Sequence, residues 1–574
     1  MKKKIVALLL MSSMMVAGLS GCGSRQIATA TDSPVRDYLE THPTEVELSE
    51  DMYEPMSNGL TPIAIPSPRS IGGKSYSSEE VWVEGAEEEA CYNIDMEDDF
   101  RNNESVFNTE EYKSLEANGF KSVALSPLST FSADVDTASY SNVRRMIEMG
   151  YDIDDIPSGA VRTEEMINYF SYDYKLPKKG EPFAVTYELG DCPWNKNSEL
   201  LSIGIKTDRI DFSDAAPSNI VFLIDVSGSM DEEDKLPLLV KSFKLMLEEL
   251  GEKDRISIVT YASAEQIVLD GVPASKKNKI NSALDELMAY GGTNGGQGII
   301  SAYKLAEENF IKGGNNRVIL ATDGDLNIGI TNESDLKDLI EKERESGIYL
   351  TTLGFGAGNY SDTNMETLAD CGNGNYAYID SLSEAKKVLC EELGATMVTV
   401  AKDVKFQVEF NPAVVAQYRL IGYEDRLMNA EDFNDDSKDA GEIGAGHTVT
   451  ALYEIVTVDQ YKGEKNELKY QNTAPSKEAV NSNEWLTISI RYKDPDGDKS
   501  KLLSYPVSVS DYKEKNSQDF MFAAAVAEFS QIIRDEEYVE DCTLTDVLDL
   551  LSDLDLDDAY KASFKSLVKE LRYN

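Results

Sequence analysis

The chain has 574 residues and a formal net charge of −48 at pH 7, with 103 acidic and 55 basic residues. This length predicts several domains rather than one. So acidic a chain is not expected to bind nucleic acid or anionic lipid directly, because both carry the same sign of charge. His42 and His447 are its two histidines, which leaves almost no material for a Ser-His-Asp triad or a histidine-based zinc centre.

The N-terminus predicts a secretory signal. Three lysines at positions 2–4 precede an apolar run that is too short to span a membrane as a helix. The run ends on Leu19-Ser20-Gly21-Cys22, which resembles the lipobox of bacterial lipoproteins. This resemblance implies a signal peptide over residues 1–21, cleavage before Cys22 and lipidation of its thiol. More than one acyl chain would then anchor the protein to the bacterial cell membrane, outside the cytoplasm.

A polar, acidic stretch follows. Residues 22–128 have few apolar residues at any regular spacing, which predicts a disordered tether. Beyond Cys22 the cysteines are Cys91, Cys192, Cys371, Cys390 and Cys542. Their odd number and irregular spacing do not indicate a disulfide framework, so we expect mostly buried thiols and leave a bridge between Cys371 and Cys390 open.

Residues 129–182 show apolar residues at helical spacing, over 142–147 and again over 161–170. We predict a helical segment here. Asp134 and Asp136 lie just before the first helical stretch. They are compatible with a cation site or with a capped turn, of which the turn is favoured.

Alternating strand patterns occupy two separated stretches, 183–207 and 403–510. We predict that they pair in one β-sandwich-like domain, into which the stretch between them is inserted. Asp494-Pro-Asp496-Gly-Asp498 resembles part of a calcium loop, but it lacks the glutamate at the twelfth position and is interpreted as a hairpin turn. Residues 517–574 predict C-terminal helices that pack on the body.

Residues 219–394 alternate strands with helices, which indicates a mostly parallel sheet covered on both faces. One apolar strand ends on Asp225, followed by Ser227 and Ser229, and another ends on Asp323. Thr293 lies in a glycine-rich loop. Carboxyl ends of parallel strands meet at one edge, where ligands bind. Hydroxyl and carboxylate oxygens at such an edge suit a hard cation such as Mg²⁺.

The same five residues, in this order, resemble the metal-ion-dependent adhesion site (MIDAS) of von Willebrand factor type A (VWA) domains. The resemblance implies a Rossmann-like α/β domain that binds Mg²⁺, or Mn²⁺ or Ca²⁺. The hydroxyls of Ser227, Ser229 and Thr293 would be ligands, and Asp225 and Asp323 would bind directly or through water. From about residue 129 to its end, the chain resembles a family of bacterial lipoproteins of unknown function. In that family a VWA domain lies between a family-specific N-terminal segment and a distinctive C-terminal domain.

These features favour a cell-surface protein-binding module, an adhesion or scaffold protein rather than an enzyme. In such sites an aspartate or glutamate of the partner completes the metal's coordination. The alternatives are an assembly or chaperone-type factor of the envelope and, less favoured, a metal-dependent hydrolase. Ser227 lacks a recognisable base. The glycine-rich stretch 354–358 lacks the spacing of a nucleotide-binding loop and is interpreted as a backbone turn.

Overall fold

We describe the protein from a computed structural model, which covers residues 109–210, 215–324, 333–463, 470, 474–495 and 497–573. The predicted signal peptide, Cys22, His42, Cys91 and the predicted tether up to residue 108 lie outside these described residues. Within the described ranges, no helix combines the length and apolar character that crossing a membrane requires. Cys192, Cys371, Cys390 and Cys542 are free thiols, so the bridge left open between Cys371 and Cys390 is not formed.

The N-terminal part contributes strands as well as helices. Its elements are β1 (Lys121–Ser122), β2 (Leu128–Ser132), α1 (Ala138–Glu148), α2 (Thr163–Asn168), β3 (Phe183–Asp191) and β4 (Glu199–Thr207). The predicted boundary of the tether at residue 128 is wrong. Residues 109–127 belong to the folded body, and the Glu111 N–H, for example, donates to the Tyr360 carbonyl at 2.9 Å. Backbone hydrogen bonds to so distant a loop leave no apolar periodicity in the sequence. The sequence pattern therefore gave no sign that residues 109–127 are folded.

The α/β domain follows and confirms the expected mostly parallel sheet. Its strands are β5 (Ser218–Asp225), β6 (Arg255–Tyr261), β7 (Glu265–Pro273), β8 (Asn315–Thr322), β9 (Ile348–Phe355) and β10 (Tyr376–Ile379). They lie in the order β10-β9-β8-β5-β6-β7, with β7 antiparallel at one edge. Strand β5 is central and wholly buried, as its continuous apolar sequence requires.

Helices cover both faces of this sheet. They are α3 (Leu236–Glu249), α4 (Lys277–Asp285), α5 (Gly295–Glu308), α6 (Glu333–Ser346), α7 (Asp362–Cys371), α8 (Leu382–Lys386) and α9 (Leu393–Met397). The sequence pattern predicts a single helix over 383–393. This prediction is wrong, because the π-helical turn Lys387–Glu391 separates α8 from α9. The turn closes with a bond from the Glu392 N–H to the Lys387 carbonyl, one residue further back than in an α-helix.

Two antiparallel sheets form the β domain. Its later elements are β11 (Thr399–Phe410), β12 (Val415–Ile421), β13 (Gly441–Gly444), β14 (Thr448–Thr457), α10 (Lys477–Asn481), β15 (Glu484–Lys493) and β16 (Lys501–Ser508). One sheet has the order β1-β12-β14-β4-β3, and the other has β13-β11-β15-β16 with β2 on β11. Side chains of both sheets, such as Ile203 and Ile488, share one buried core.

The pairing of β4 with β14 joins the two flanks of the α/β domain. Ile203 lies opposite Ala451 in this ladder. The predicted architecture, an α/β domain inserted in a β-sandwich-like domain, is therefore confirmed. The inserted domain also begins and ends close together, since a side-chain atom placed on Gly394 would lie 3.6 Å from the Ile210 carbonyl oxygen.

Three helices complete the chain, α11 (Gln518–Ile533), α12 (Leu544–Ser552) and α13 (Ala559–Tyr573). Helix α11 is buried almost all round, because α2 packs on one side and α12 on another. Arg419 of β12 ties these helices to the β domain. Its buried guanidinium donates to Glu454 at 2.8 Å and to Gln531 of α11 at 2.7 Å.

A buried ion cluster attaches helix α7 to the rest of the molecule. Asp362, Glu366 and Asp370 recur every four residues and so share one face of the helix. Arg162 pairs with Asp362 at 2.6 Å, and Arg426 pairs with Asp370 at 2.8 Å.

Asp134 and Asp136 belong to the same cluster. Both pair with Arg426, at 3.1 and 3.4 Å. The Asp136 N–H donates to the Asp134 carboxylate at 3.0 Å, which is the capped turn favoured from the sequence.

Within this cluster, the titration of Glu366 makes the stability of the folded protein depend on pH. Burial raises its pKa to about 8, although Arg162 opposes the shift. An ordinary glutamate has a pKa of about 4.3, so Glu366 supports the fold below about pH 4.3, and this support is lost as the pH rises through about 8. We expect Glu366→Gln to flatten the fall in the free energy of unfolding between about pH 6 and about pH 9. Urea unfolding at both pH values measures this.

The exposed Glu478 supplies the control, since Glu478→Gln should keep the wild-type pH dependence. If Glu366→Gln and the wild type lose the same stability over this range, Glu366 does not carry the effect.

Candidate metal site

The end of strand β5 positions the first three predicted residues. Asp225 is fully buried and accepts the Ser227 N–H at 2.8 Å through Oδ1 and the Thr322 hydroxyl at 2.8 Å through Oδ2. These two bonds fix the carboxylate and turn the chain sharply after the strand. The hydroxyl oxygens of Ser227 and Ser229 then lie 3.1 Å apart. Three oxygen-bearing side chains thus meet at one point of the sheet edge.

The loop that carries Thr293 packs against this turn. The Gly228 N–H donates to the Gly291 carbonyl at 3.0 Å, and the Asn294 N–H donates to the Ala262 carbonyl at 2.8 Å. Gly291 has φ +78°, a conformation that suits glycine. Thr293 lies between these anchors and is partly exposed. Its loop is therefore bonded directly to the loop of Ser227 and Ser229.

Asp323 follows strand β8 and is also fully buried. Its Oδ2 accepts from Lys235 Nζ at 3.2 Å and from Asn359 Nδ2 at 3.1 Å. Lys235 also donates to Asn359 Oδ1 at 3.2 Å, so the three side chains bond to one another in a triangle. The sequence interpretation missed Lys235 and Asn359. A single lysine after an acidic run and an asparagine after a glycine-rich stretch form no recognisable motif.

Glycines in the 354–358 stretch make room for this triangle. Gly356 has φ +74°, and a side-chain carbon placed on it would lie 2.3 Å from Lys235 Cγ. The close approach of the backbone lets the lysine stem pass beneath the loop and reach Asp323. The interpretation of this stretch as a turn agrees with the structure, and the turn also shapes the site.

The electrostatics of the edge are those of a cation site. Burial raises the pKa of Asp225 to about 6, the hydrogen bonds from Ser227 oppose the shift, and the neighbouring Asp323 adds to it. Two buried carboxylates face a single buried ammonium, that of Lys235, which leaves the negative charge in excess when all three are ionised. The donors that converge here are carboxylate and hydroxyl oxygens, which Mg²⁺, Mn²⁺ and Ca²⁺ prefer. The residues present therefore fit a hard divalent cation.

In the described part of the chain, no group of three or more His, Cys, Asp or Glu side chains is arranged to hold a metal ion. His447 lies in the β domain, where its carbonyl accepts the Thr207 N–H. Burial lowers the pKa of His447 to about 4.

Family models match most of the described chain. Residues 219–390 match the von Willebrand factor type A domain. Residues 395–573 match a family described as the C-terminal region of the uncharacterized protein YfbK, and residues 106–202 match one described as von Willebrand factor.

Three individual proteins are similar to parts of this chain. Human inter-alpha-trypsin inhibitor heavy chain H4 is 34% identical over 149 residues, which are 24% of this chain and 16% of that protein. The solved structure of a von Willebrand factor type A protein from Catenulispora acidiphila covers 68% of this chain and 89% of its own, with 16% identity and a TM-score of 0.38. The uncharacterized protein YfbK of Escherichia coli K12 is 43% identical over 470 residues, which are 80% of this chain and 81% of that protein. This chain therefore belongs to the family of YfbK, proteins with a von Willebrand factor type A domain and a YfbK-type C-terminal region.

Proposed function

We propose that the protein is a lipid-anchored module of the cell surface that binds a protein partner through a divalent metal ion. Asp225, Ser227, Ser229, Thr293 and Asp323 would hold Mg²⁺, or Mn²⁺ or Ca²⁺, as a MIDAS-type site. The observation that carries this proposal is the meeting of the Ser227 and Ser229 hydroxyls, 3.1 Å apart, beside the buried Asp225 carboxylate. A metal bound there would supply an electrophilic centre for an oxygen ligand of the partner.

The charges of the site indicate which ligand the partner would offer. With Lys235 paired to Asp323, the buried groups of the site carry one negative charge in excess when Asp225 is ionised. A divalent cation reverses this to one positive charge in excess, and one carboxylate of a partner then neutralises the whole. An aspartate or glutamate can therefore bind without leaving an unpaired charge, which would be costly.

The surroundings of the site favour one kind of surface around that carboxylate. Asp231, Glu232 and Glu233 are exposed immediately beyond the site. They would repel a uniformly acidic partner. A single carboxylate within a neutral or basic surface therefore fits best.

The site supports binding rather than catalysis. The Ser227 hydroxyl is hydrogen-bonded to the Ser229 hydroxyl, and within the described residues His447, the residue type that usually activates a serine nucleophile, lies in the β domain instead. A role as an assembly or chaperone-type factor of the envelope would use the same metal-dependent contact.

The location rests on the N-terminal sequence. We propose cleavage before Cys22 and lipidation of its thiol, which would hold the protein outside the cytoplasm on the bacterial cell membrane. The mature protein should then partition with membranes. Mass spectrometry of the mature N-terminus should find acyl chains on Cys22, and an unmodified Cys22 would contradict the anchor.

Partner binding should require the metal. We expect immobilised protein to retain a partner from envelope extract in Mg²⁺ and to release it in EDTA at the same ionic strength. Ser229→Ala removes one hydroxyl of the site and should abolish retention, whereas Ser563→Ala, an exposed position of α13, should not. Retention of the same proteins with and without Mg²⁺, and by both variants, would mean that binding occurs on another face.

Lys235→Met should lower the stability of the metal-free protein and raise its affinity for the metal. Without the ammonium, the buried Asp323 carboxylate loses its cationic partner, and breaking a buried ion pair in this way costs about 3–5 kcal/mol. The same loss removes a positive charge that repels the metal, so we expect at least about tenfold tighter Mg²⁺ binding. Denaturant unfolding and isothermal titration calorimetry measure the two effects. Lys241→Met, an exposed lysine of the same helix, is the matched control. Weaker Mg²⁺ binding by Lys235→Met would show that Lys235 supports the metal rather than competing with it.

A further inference from the structure

We propose that residues 109–111, which we call the strap, position the metal site by holding residues 356–361, the site loop. The inference rests on the proposed function, because it concerns the same metal. It assigns a positioning role to Asn359, which contacts a predicted ligand, and to the strap, which contacts neither the metal nor its predicted ligands.

Backbone hydrogen bonds join the strap to the site loop. The Thr109 N–H donates to the Gly358 carbonyl at 2.8 Å, and the Glu111 N–H donates to the Tyr360 carbonyl at 2.9 Å. The Asp362 N–H donates back to the Glu111 carbonyl at 3.2 Å. The strap therefore runs parallel to the site loop as a short added strand.

Glu110 fastens the strap to the body. Its carboxylate accepts the Gly358 N–H at 2.8 Å. It also accepts two bonds from the guanidinium of Arg145, at 3.0 and 2.9 Å. Arg145 belongs to helix α1 and lies over the ring of Tyr378 at 5.3 Å. A side chain that is almost wholly buried thus links the site loop to a rigid helix and to strand β10.

Asn359 lies between the two residues that the strap bonds. Its amide touches both Asp323 and Lys235, and so it sets where the Asp323 carboxylate lies between the ammonium and the metal position. Gly356 and Gly358 have φ +74° and +97°, so the loop contains two residues of high backbone freedom. Fixing such a loop in advance removes an entropic cost from metal binding.

The test compares Mn²⁺ affinity in the full chain carrying Cys22→Ser, measured by electron paramagnetic resonance well below the unfolding temperature. Asn359→Ala should bind Mn²⁺ about tenfold more weakly, as removal of groups that orient metal ligands commonly does. Glu110→Ala should bind about threefold more weakly, and Glu110→Gln, which keeps an acceptor for the Gly358 N–H, should recover part of the loss. Lys113→Ala removes an exposed ion pair with Asp425 just beyond the strap and should change nothing.

Hydrogen–deuterium exchange of the site loop in the metal-free protein is the second readout. Glu110→Ala should speed exchange at Gly358, because this variant loses the acceptor of that N–H. If Glu110→Ala does not fold, Thr109→Pro is the substitute: it removes the Thr109 N–H and hydroxyl, both of which donate to the Gly358 carbonyl, and should likewise speed exchange in the site loop.

The outcomes separate the two proposals. A wild type that does not bind Mn²⁺ overturns the proposed function. A wild type that binds Mn²⁺ while the folded strap variants bind it equally well overturns the strap inference alone, even if their stability falls.

Discussion

The buried ion pair between Lys235 and Asp323 sets the balance of buried charge at the carboxyl edge of the sheet. Without it, two buried carboxylates would face each other at the ends of neighbouring strands, at a high cost in desolvation and repulsion. With it, the buried groups Asp225, Lys235 and Asp323 retain a single excess negative charge when all three are ionised. In the proposed function this charge would attract a divalent cation, and the occupied site would then accept one carboxylate of a partner.

Parts of the chain outside the inserted domain support the elements that border this edge. Because the α/β domain is inserted in the β domain, its first and last residues meet at the side away from the strand ends that carry Asp225 and Asp323. Arg162 and Arg426 hold helix α7 from outside the inserted domain. Residues 109–111, the strap, bond to the site loop that precedes α7. Two regions outside the inserted domain therefore fix the helix and the loop that border the site.

Local patterns predicted much of this molecule. The apolar run that ends on Asp225 predicts both a buried strand and the position of its carboxyl end. The apolar run before Asp323 predicts the same for its strand. The split strand patterns predicted the insertion, which the pairing of β4 with β14 confirms. Each individual strand pattern lies within about ten neighbouring residues, a length over which periodicity is informative.

Contacts between distant residues gave no such signal. Lys235 and Asp323 are 88 residues apart, and Thr109 and Gly358 are 249 apart. A single buried lysine has the same local pattern as an exposed one. Residues 109–127 were assigned to the tether for the same reason, since their order comes from bonds to a remote loop. The break between α8 and α9 was also missed, because one extra residue in a helical turn hardly changes apolar spacing.

The proposed metal site places five residues around one divalent cation. A crystal structure of the protein with Mn²⁺, with anomalous scattering recorded near the manganese absorption edge, would locate the ion. We expect one strong anomalous peak bounded by the hydroxyls of Ser227, Ser229 and Thr293, with Asp225 and Asp323 bound to it directly or through water. A map without a peak among these residues, or with the ion held elsewhere, would contradict it.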